Sequence, residues 1–242
     1  MKKKIVIIAG GDGDIGFDCV KNFLKFNYEV VVIDIKFKNK VYFKKNNVIC
    51  FKSNLRSEKN IRSILYKINK KVGKAQILIN CIGIFSSKTI LDLDLKEIEN
   101  LLRNNLIYPL LLIKNFIKIS TTPKKISKII NIGSMAGQNG GEFAGDLYSI
   151  SKAGIINLTK SIAKKFGKRN IICNCINPGP LEGYITNKWS NQVKRNLINK
   201  YKTNRKSLGK PSDISNACIF LAEDSSNYIQ GSELNINGGL VI

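Results

Sequence analysis

The sequence of 242 residues is 43% hydrophobic and 24% charged, proportions typical of a globular protein that can bury a large core without disulfides or metals. Lysine and arginine number 40 against 17 acidic residues, which gives a formal net charge of +23, and there is no histidine. The lack of histidine excludes Ser-His-Asp and Cys-His catalytic systems and imidazole metal sites, so no metal site is predicted.

Short runs rich in isoleucine and valine predict buried strands, and helical patterns lie between them. Strands are expected at 4–9, 29–33, 48–51, 76–80, 128–132, 171–176 and 233–236. Helices are expected near 15–27, 57–72, 95–119, 147–167 and 212–222. Strands that are apolar on both faces and alternate with helices are typical of a covered parallel sheet. The sequence predicts one α/β domain over residues 1–242, a doubly wound parallel sheet of about seven strands with helices on both faces.

The first predicted strand ends in a glycine-rich turn, Gly10 to Gly16, which leads into the first helix. Glycines let such a turn approach a pyrophosphate bound at the free N–H groups of the helix start, although a glycine-rich turn alone is a weak signal. Asp34 ends the second strand, where a carboxylate binds ribose hydroxyls and repels a 2′-phosphate, unless it simply ends the strand. The pattern predicts a dinucleotide site that prefers NAD(H). NADP(H) is the alternative, because Lys36 offers a nearby positive charge.

Tyr148 and Lys152 are four residues apart in a predicted helix, so they share one face. An ammonium beside a phenol favours the phenolate, and we expect Lys152 to lower the pKa of Tyr148 from about 10 toward neutrality. Ser134 follows the fifth strand and emerges at the carboxyl edge of the sheet, where ligands of open α/β sheets bind. A Tyr/Lys pair alone is more often a solvated helix face, so this interpretation depends on the other motifs.

Together, these motifs resemble those of the short-chain dehydrogenase/reductase family over essentially the whole chain. The helical Asn105, Pro178-Gly179 after the sixth strand and Gly238-Gly239 near the C-terminus match the family as well. The resemblance implies a Rossmann fold and an enzyme that interconverts a carbonyl and a secondary alcohol by hydride transfer. The cofactor-binding positions that it implies are Gly10, Asp12, Gly13, Asp14, Ile15, Gly16, Asp34, Asn54, Leu55, Asn80, Cys81, Gly83, Tyr148, Lys152, Pro178, Gly179 and Leu181.

The resemblance assigns catalytic roles to Asn105, Ser134, Tyr148 and Lys152. It implies that Tyr148 donates or removes the hydroxyl proton and that Ser134 binds the substrate oxygen. Lys152 would hold the nicotinamide ribose, and Asn105 would position a water that links Lys152 to solvent. Pro109, four residues after Asn105, has no N–H for the Asn105 carbonyl, which either frees that carbonyl for the water or simply kinks the helix.

The sequence departs from the family pattern at several positions. Asp14 stands where the family usually has glycine, and we expect its carboxylate to point away from a pyrophosphate while favouring the helix dipole by about 0.3–1 kcal/mol. Cys81 and Ile82 replace asparagine and alanine, which changes local packing. Gly183 stands where a threonine often bonds the nicotinamide carboxamide, and Thr186 is a candidate replacement.

Within the family, the stretch 209–239 is most similar to 3-oxoacyl-[acyl-carrier-protein] reductases. This similarity implies a 3-oxoacyl thioester substrate, although such reductases usually take NADPH, which Asp34 opposes. The alternative substrate is a sugar, polyol or other small alcohol. The non-enzymatic alternative is a nucleotide-sensing or nucleic-acid-binding protein of the same fold, and the complete set of catalytic residues favours an enzyme.

The basic residues are spread along the chain, which favours a compositional excess over a dedicated anionic partner and does not favour nucleic acid. Two basic regions are candidate anion sites. Residues 184–207 are predicted to form a substrate lid, in which Lys194 and Arg195 would bind an anionic thioester. The expected docking surface for an acyl carrier protein consists of Lys124, Lys125, Lys168 and Arg169.

No apolar stretch approaches the ~20 residues of a membrane span, and we expect a cytoplasmic protein with no membrane partner. The six cysteines include no CxxC pair, which predicts reduced thiols buried in the core. The family resemblance further implies a homotetramer.

Overall fold

The computed structural model describes residues 3–120 and 125–242. At its centre is a seven-stranded parallel sheet in the order β3-β2-β1-β4-β5-β6-β7. The strands are β1 (Ile5–Ala9), β2 (Glu29–Asp34), β3 (Ile49–Lys52), β4 (Ile77–Asn80), β5 (Ser127–Ile132), β6 (Ile171–Pro178) and β7 (Glu233–Ile236). The predicted fold class and strands are confirmed, with boundaries that differ by one or two residues.

Helices fill the connections between the strands. In the described residues they are α1 (Asp14–Lys25), α2 (Lys40–Lys45), α3 (Glu58–Val72), α4 (Leu95–Leu102), α5 (Tyr108–Ser120), α6 (Ala136–Asn139), α7 (Asp146–Phe166), α8 (Asn191–Asn199) and α9 (Pro211–Ala222). The predicted helix 95–119 is α4 and α5 joined through a π-helix, Arg103–Ile107. None of the helices in the described ranges has the length and apolarity to cross a membrane.

Successive strand residues contribute to two separate cores, one on each face of the sheet. Ile5 and Ile7 of β1 pack with α3 and α5 on one face, whereas Val6 and Ile8 pack with α1 and α9 on the other. Burial on both faces is the reason that the strands read as continuous apolar runs. β3 is an edge strand, and its Cys50 is exposed, so the prediction of buried thiols is wrong at that position.

The loops that leave the carboxyl ends of the parallel strands share one edge of the sheet. The chain runs from β1 to β2 in one direction, whereas β4 lies against the opposite side of β1. Strand order therefore reverses between β1 and β4. Such a switch point opens a crevice at the carboxyl edge, which is where open α/β sheets bind ligands.

β5 carries a buried lysine near its amino end. Lys128 is 3% exposed, and its Nζ donates hydrogen bonds to the carbonyl oxygen of Glu223 and, at 2.9 Å, to Oγ of Ser226. Burial lowers the pKa of Lys128 from 10.5 to about 8. The ammonium thus links β5 to the turn after α9 through hydrogen bonds, although it loses hydration because it is buried.

We predict that Lys128 makes the free energy of unfolding rise with pH between about 8 and 10.5. In this window the folded protein has released the Lys128 proton while the unfolded chain still holds it, so raising the pH favours the folded state. Urea unfolding of the wild type and Lys128→Met from about pH 7 to about pH 10 measures this effect, and the wild type should gain about 1–3 kcal/mol relative to the variant. Parallel pH curves for the two proteins would contradict it.

Candidate active site

Close backbone contacts shape the turn after β1. Gly10 has a φ of +75°, and a Cβ at this position would lie 2.9 Å from the carbonyl oxygen of Cys81. A Cβ at Gly16 would lie 2.1 Å from the carbonyl oxygen of Gly10. Only glycines let α1 start this close to β1. Gly13 is the N-cap of α1, so the first free N–H groups of the helix lie at the crevice, an arrangement that suits a pyrophosphate.

Two cavities meet at this turn. The larger has a volume of about 560 Å³ and contains Ser134, Tyr148 and Lys152. The smaller has a volume of about 220 Å³ and contains Asp34 and Leu55. Residues that line both cavities are Gly10, Gly13, Cys81, Gly83 and Ile84. Two compartments joined at a phosphate-binding turn fit the two halves of a dinucleotide.

The two predicted catalytic hydroxyl groups lie together in the larger cavity. The side chain of Ser134 lies close enough to that of Tyr148 to influence its pKa, and Oγ of Ser134 accepts the N–H of Ala136 at 3.1 Å. The ring of Phe85 packs edge-on against Tyr148, with 5.1 Å between ring centres. These contacts fix the Tyr148 hydroxyl beside Ser134, where one substrate oxygen can reach both.

Burial raises the pKa of Tyr148 above its usual 10, and the hydrogen bond with Ser134 only partly opposes this effect. Nζ of Lys152 lies 5.8 Å from the Tyr148 ring centre and donates to the carbonyl oxygen of Ile132 at 2.8 Å. Burial lowers the pKa of Lys152 itself to about 8. The prediction that Lys152 lowers the pKa of Tyr148 is therefore wrong for this structure, because the phenolate loses more hydration than a distant, desolvated ammonium restores.

Asn105 is fully buried within the π-helix, where the N–H of Tyr108 reaches back to the carbonyl oxygen of Arg103. Its Oδ1 accepts the N–H of Ile84 at 2.7 Å, and its Nδ2 donates to the Ile84 carbonyl oxygen at 3.0 Å. Nδ2 also donates to Oγ of Ser151 at 3.1 Å. Asn105 therefore fastens the turn after β4 to the catalytic helix α7.

Asn80 has a comparable position behind the site. Its Nδ2 donates to Oδ1 of Asn131 at 3.2 Å, and its Oδ1 accepts the N–H of Ile82 at 3.4 Å. Asn80 and Asn105 are the predicted site residues that line neither cavity. Both side chains hydrogen-bond the backbone of the turn after β4. Their positions therefore indicate that they support the site, and not that they contact cofactor or substrate.

The smaller cavity carries the residues predicted for the adenosine half of a dinucleotide. Leu55 is buried with a φ of +52°, and its N–H donates to Oγ of Ser53 at 3.1 Å. Oδ1 of Asn54 accepts the N–H of Arg56 at 3.2 Å. Asp34 lines the same cavity, and its backbone carbonyl oxygen accepts the N–H of Ser53 at 2.8 Å. The turn after β3 thus places Asn54 and Leu55 in one cavity with Asp34.

The side chain of Asp14 contacts the segment that follows β6, and its orientation relative to a pyrophosphate stays a prediction. Its Oδ2 accepts the N–H of Tyr184 at 2.8 Å, and a Cβ at Gly183 would lie 2.4 Å from the same oxygen. Two departures from the family pattern are therefore in direct contact. Thr186 donates its hydroxyl proton to the carbonyl oxygen of Leu181 at 2.6 Å, so that proton is committed to the backbone.

The predicted lid, residues 184–207, covers the larger cavity with Trp189 and Leu197. Its basic residues at the cavity are Lys200 and Lys202, not the predicted Lys194 and Arg195, which lie elsewhere on α8. Helical spacing explains the error, because the face of α8 that carries Leu197 turns inward. Nζ of Lys200 is 2.7 Å from both carboxylate oxygens of Glu142, an ion pair across the rim of the cavity.

The surface predicted to dock a carrier protein lies at the other edge of the sheet. Lys125 precedes β5, and Lys168 and Arg169 precede β6, so all three sit at the amino ends of strands whose carboxyl ends form the site. Lys124 lies outside the described residues. The expectation that this basic surface is near the crevice of the same chain is therefore wrong, because both strands run the length of the sheet between the two regions.

Several residues of the site gave no usable signal in the sequence. The cavity wall includes Phe85, Phe143 and Trp189, of which the last two have ring centres 5.5 Å apart. Aromatic residues in loops follow no period, so their convergence could not be predicted.

Ser151 was also not predicted as a site residue. It links Asn105 to α7, because its Oγ accepts a hydrogen bond from Asn105 and donates one to the carbonyl oxygen of Tyr148 at 2.7 Å. The sequence feature that could have drawn attention to Ser151 is its position one residue before Lys152.

We predict that an alanine at Gly183 destabilises the protein because of Asp14. The new methyl group would force the Asp14 carboxylate away and break its hydrogen bond with Tyr184, at a cost of about 1–2 kcal/mol. A double-mutant cycle of Gly183→Ala and Asp14→Gly, measured by urea unfolding, isolates this contact. Gly183→Ala should lower the free energy of unfolding clearly less in the Asp14→Gly variant than in the wild type. Equal losses of free energy in both proteins would refute the contact.

Comparisons with known proteins agree with this geometry. The family model described as enoyl-(acyl carrier protein) reductase matches residues 10–241. The 3-oxoacyl-[acyl-carrier-protein] reductase of Aquifex aeolicus is 32% identical over 188 residues, which cover 77% of this chain and 74% of that protein. The 7alpha-hydroxysteroid dehydrogenase of Bacteroides fragilis is 29% identical, and the alignment covers 100% of this chain and 95% of that protein.

The crystal structure of a short-chain dehydrogenase from Leptospira borgpetersenii with bound NAD+ has a similar fold. Its TM-score is 0.90 at 27% sequence identity, and the superposition covers 100% of this chain and 94% of that one. The match therefore includes the whole sheet and both helical layers. With a family model that spans residues 10–241, the chain belongs to the short-chain dehydrogenase/reductase family of oxidoreductases.

Proposed function

We propose that this chain is an NAD(H)-linked reductase of 3-oxoacyl thioesters, with Tyr148 as the proton donor. The observation that carries this proposal is the Tyr148 hydroxyl, held against Ser134 in the larger cavity with Lys152 beside the ring. A nicotinamide dinucleotide would supply the hydride. The paired cavities and the turn from Gly10 to Gly16 fit its two halves and its pyrophosphate.

The residues of this chain would act on the carbonyl oxygen of the substrate. Ser134 donates a hydrogen bond that orients the carbonyl, and Tyr148 donates its proton as negative charge develops on the oxygen. Burial raises the pKa of Tyr148, and the phenol is therefore protonated at neutral pH, which is the form that can donate a proton. Nζ of Lys152 lies 5.8 Å from the centre of the phenol ring, and its role in this proposal is to hold the ribose of the nicotinamide half.

We predict that Tyr148→Phe lowers kcat for acetoacetyl thioester reduction by about 10²–10⁴-fold, because the phenol is the proton donor. Oxidation of NADH, followed by its absorbance, measures the loss. The dissociation constant for NADH should change by less than about threefold, since the ring remains and only one oxygen is removed. Retention of most of the activity in the variant would exclude this role for Tyr148.

An acyl thioester fits the composition of the larger cavity. Aromatic rings from Phe85, Phe143 and Trp189 offer an apolar wall, whereas Lys202 adds positive charge at the rim, where Lys200 is paired with Glu142. A 3-oxoacyl group needs the first feature, and a phosphate-bearing thiol carrier needs the second. The apolar wall also fits a steroid or another apolar alcohol, which is the second candidate, and it disfavours a sugar or polyol.

We predict that Lys202→Ala raises KM about 3–10-fold for acetoacetyl-CoA, because one favourable charge is lost at the rim. The uncharged acetoacetyl-N-acetylcysteamine carries the same reacting group, and its KM should not change. Lys194→Ala is the matched control, since it removes an equal charge from the lid outside the cavity. Equal effects of the two substitutions would indicate a general electrostatic effect and exclude a local contact.

A carrier protein would approach the same rim. Lys200 and Lys202 lie on the lid side of the cavity, whereas Lys168 and Arg169 lie at the far edge of the sheet. Docking of an acidic carrier on Lys168 and Arg169 would therefore serve the crevice of another copy of the chain. A cytoplasmic location, which agrees with the free thiols, is part of this proposal.

We also propose a homotetramer, because the family resemblance implies one and because α4, α5 and α7 each expose an apolar side chain. Leu95 of α4 is 71% exposed, Ile150 of α7 is 56% exposed and Leu110 of α5 is 39% exposed. Exposed apolar side chains favour association with another copy. Sedimentation velocity should show one tetrameric species in the wild type and smaller species in Ile150→Glu. A monomeric wild type would refute the tetramer.

A further inference from the structure

The side chain of Asp12, in the glycine-rich turn, binds the segment that follows β2. Its residue is 7% exposed, and its carboxylate accepts the N–H of Lys38, the N–H of Asn39 at 3.2 Å and Nδ2 of Asn39 at 2.7 Å. The N–H of Asp12 donates to Oδ2 of Asp34 at 2.9 Å. Asp12 thus links the glycine-rich turn to the end of β2 and to the segment that follows it.

The donors that Asp12 occupies form a set that suits an anion. Two successive backbone N–H groups and one side-chain amide converge on the carboxylate. Lys36 and Lys38 line the same cavity, and within the described residues neither forms an ion pair with an acidic side chain. Buried N–H groups need an acceptor, and here the chain supplies its own in a negatively charged form.

Asp34 has a different position in this arrangement. Its Oδ2 accepts the N–H of Asp12, and its Oδ1 accepts the N–H of Ile35 at 2.7 Å. Each carboxylate oxygen can accept a second hydrogen bond, so Asp34 keeps acceptor sites for ribose hydroxyl groups. Asp12 has more of its capacity engaged and is more deeply enclosed. Asp34 is therefore suited to bind the ribose. Asp12 is suited to a different role, because its carboxylate already occupies the N–H donors that an anion beside the ribose would use.

We propose that Asp12 is a specificity-determining residue that excludes a 2′-phosphate from the smaller cavity. Its carboxylate occupies the N–H groups of Lys38 and Asn39, which would otherwise bind the phosphate, and its charge adds to that of Asp34. This inference rests on the proposed binding of NAD(H). In its absence, Lys36 and Lys38 would give the cavity the positive charge and the free donors that a 2′-phosphate needs.

The test compares two nucleotides that differ only in the 2′-phosphate, adenosine 5′-monophosphate and adenosine 2′,5′-bisphosphate. Isothermal titration calorimetry gives their dissociation constants for the wild type, Asp12→Ser and Asp12→Asn. The wild type should bind the monophosphate more tightly. Both variants should shift the ratio of the two constants toward the bisphosphate by about tenfold or more, because a like charge near the phosphate is removed.

Asn39→Ala is the matched control. It removes one donor to the Asp12 carboxylate but leaves the charge in place, so its ratio should stay at the wild-type value. Asp12→Asn keeps the shape of the side chain and separates loss of charge from disturbance of the loop. Circular dichroism and thermal melting of each variant show that the fold is retained, and Asp12→Asn decides the test if Asp12→Ser unfolds.

The possible results distinguish a role of Asp12 in specificity from a structural role. An unchanged ratio in Asp12→Asn, or a wild type that prefers the bisphosphate, overturns the role of Asp12 while leaving the oxidoreductase assignment intact. Loss of both nucleotides in the Asp12 variants alone shows a structural role and also overturns the proposal. If the wild type binds neither nucleotide and no NADH, the proposed cofactor site itself is wrong.

Discussion

The site depends on how closely three backbone segments approach one another at the carboxyl end of β1. Gly16 brings the start of α1 onto the carbonyl oxygen of Gly10, and Gly10 in turn lies against the turn after β4. This contact fixes where the free N–H groups of α1 point and where the two cavities join. Because no side chain fits at either glycine, the geometry is set by the backbone, and the surrounding side chains can vary without moving it.

Burial controls the chemistry of the larger cavity more than direct charge pairing does. The pKa of Tyr148 rises and that of Lys152 falls to about 8, and each shift has loss of hydration as its main cause. Both groups therefore favour their neutral forms more than they would in water. A neutral phenol is the form that donates a proton to a developing alkoxide, so the enclosure of the site favours the protonated form that the proposed role of Tyr148 requires.

The strands and the long helices could be predicted because each depends on local pattern. The strands are apolar on both faces, and Tyr148 and Lys152 share one helical face whatever surrounds them. The errors concern relations between distant segments. The pKa of Tyr148 depends on how deeply the fold buries the side chain. Whether Lys168 lies near the site depends on the edge of the sheet at which its segment lies. The face of the lid that points into the cavity depends on how Leu197 packs. Asp12 was predicted as a cofactor contact that adds negative charge to the turn, but its contacts with Lys38 and Asn39 were not predicted, since these residues are more than 20 positions away.

The order of strands also has a consequence for how the chain folds as it is synthesised. β6 is buried along its whole length, and β7, which pairs with its outer edge from Cys175 to Pro178, begins only at Glu233. Until that segment leaves the ribosome, an apolar strand with free N–H and C=O groups stays open to other chains. The time at greatest risk of aggregation is therefore the synthesis of the lid and α9, after most of the sheet is already in place.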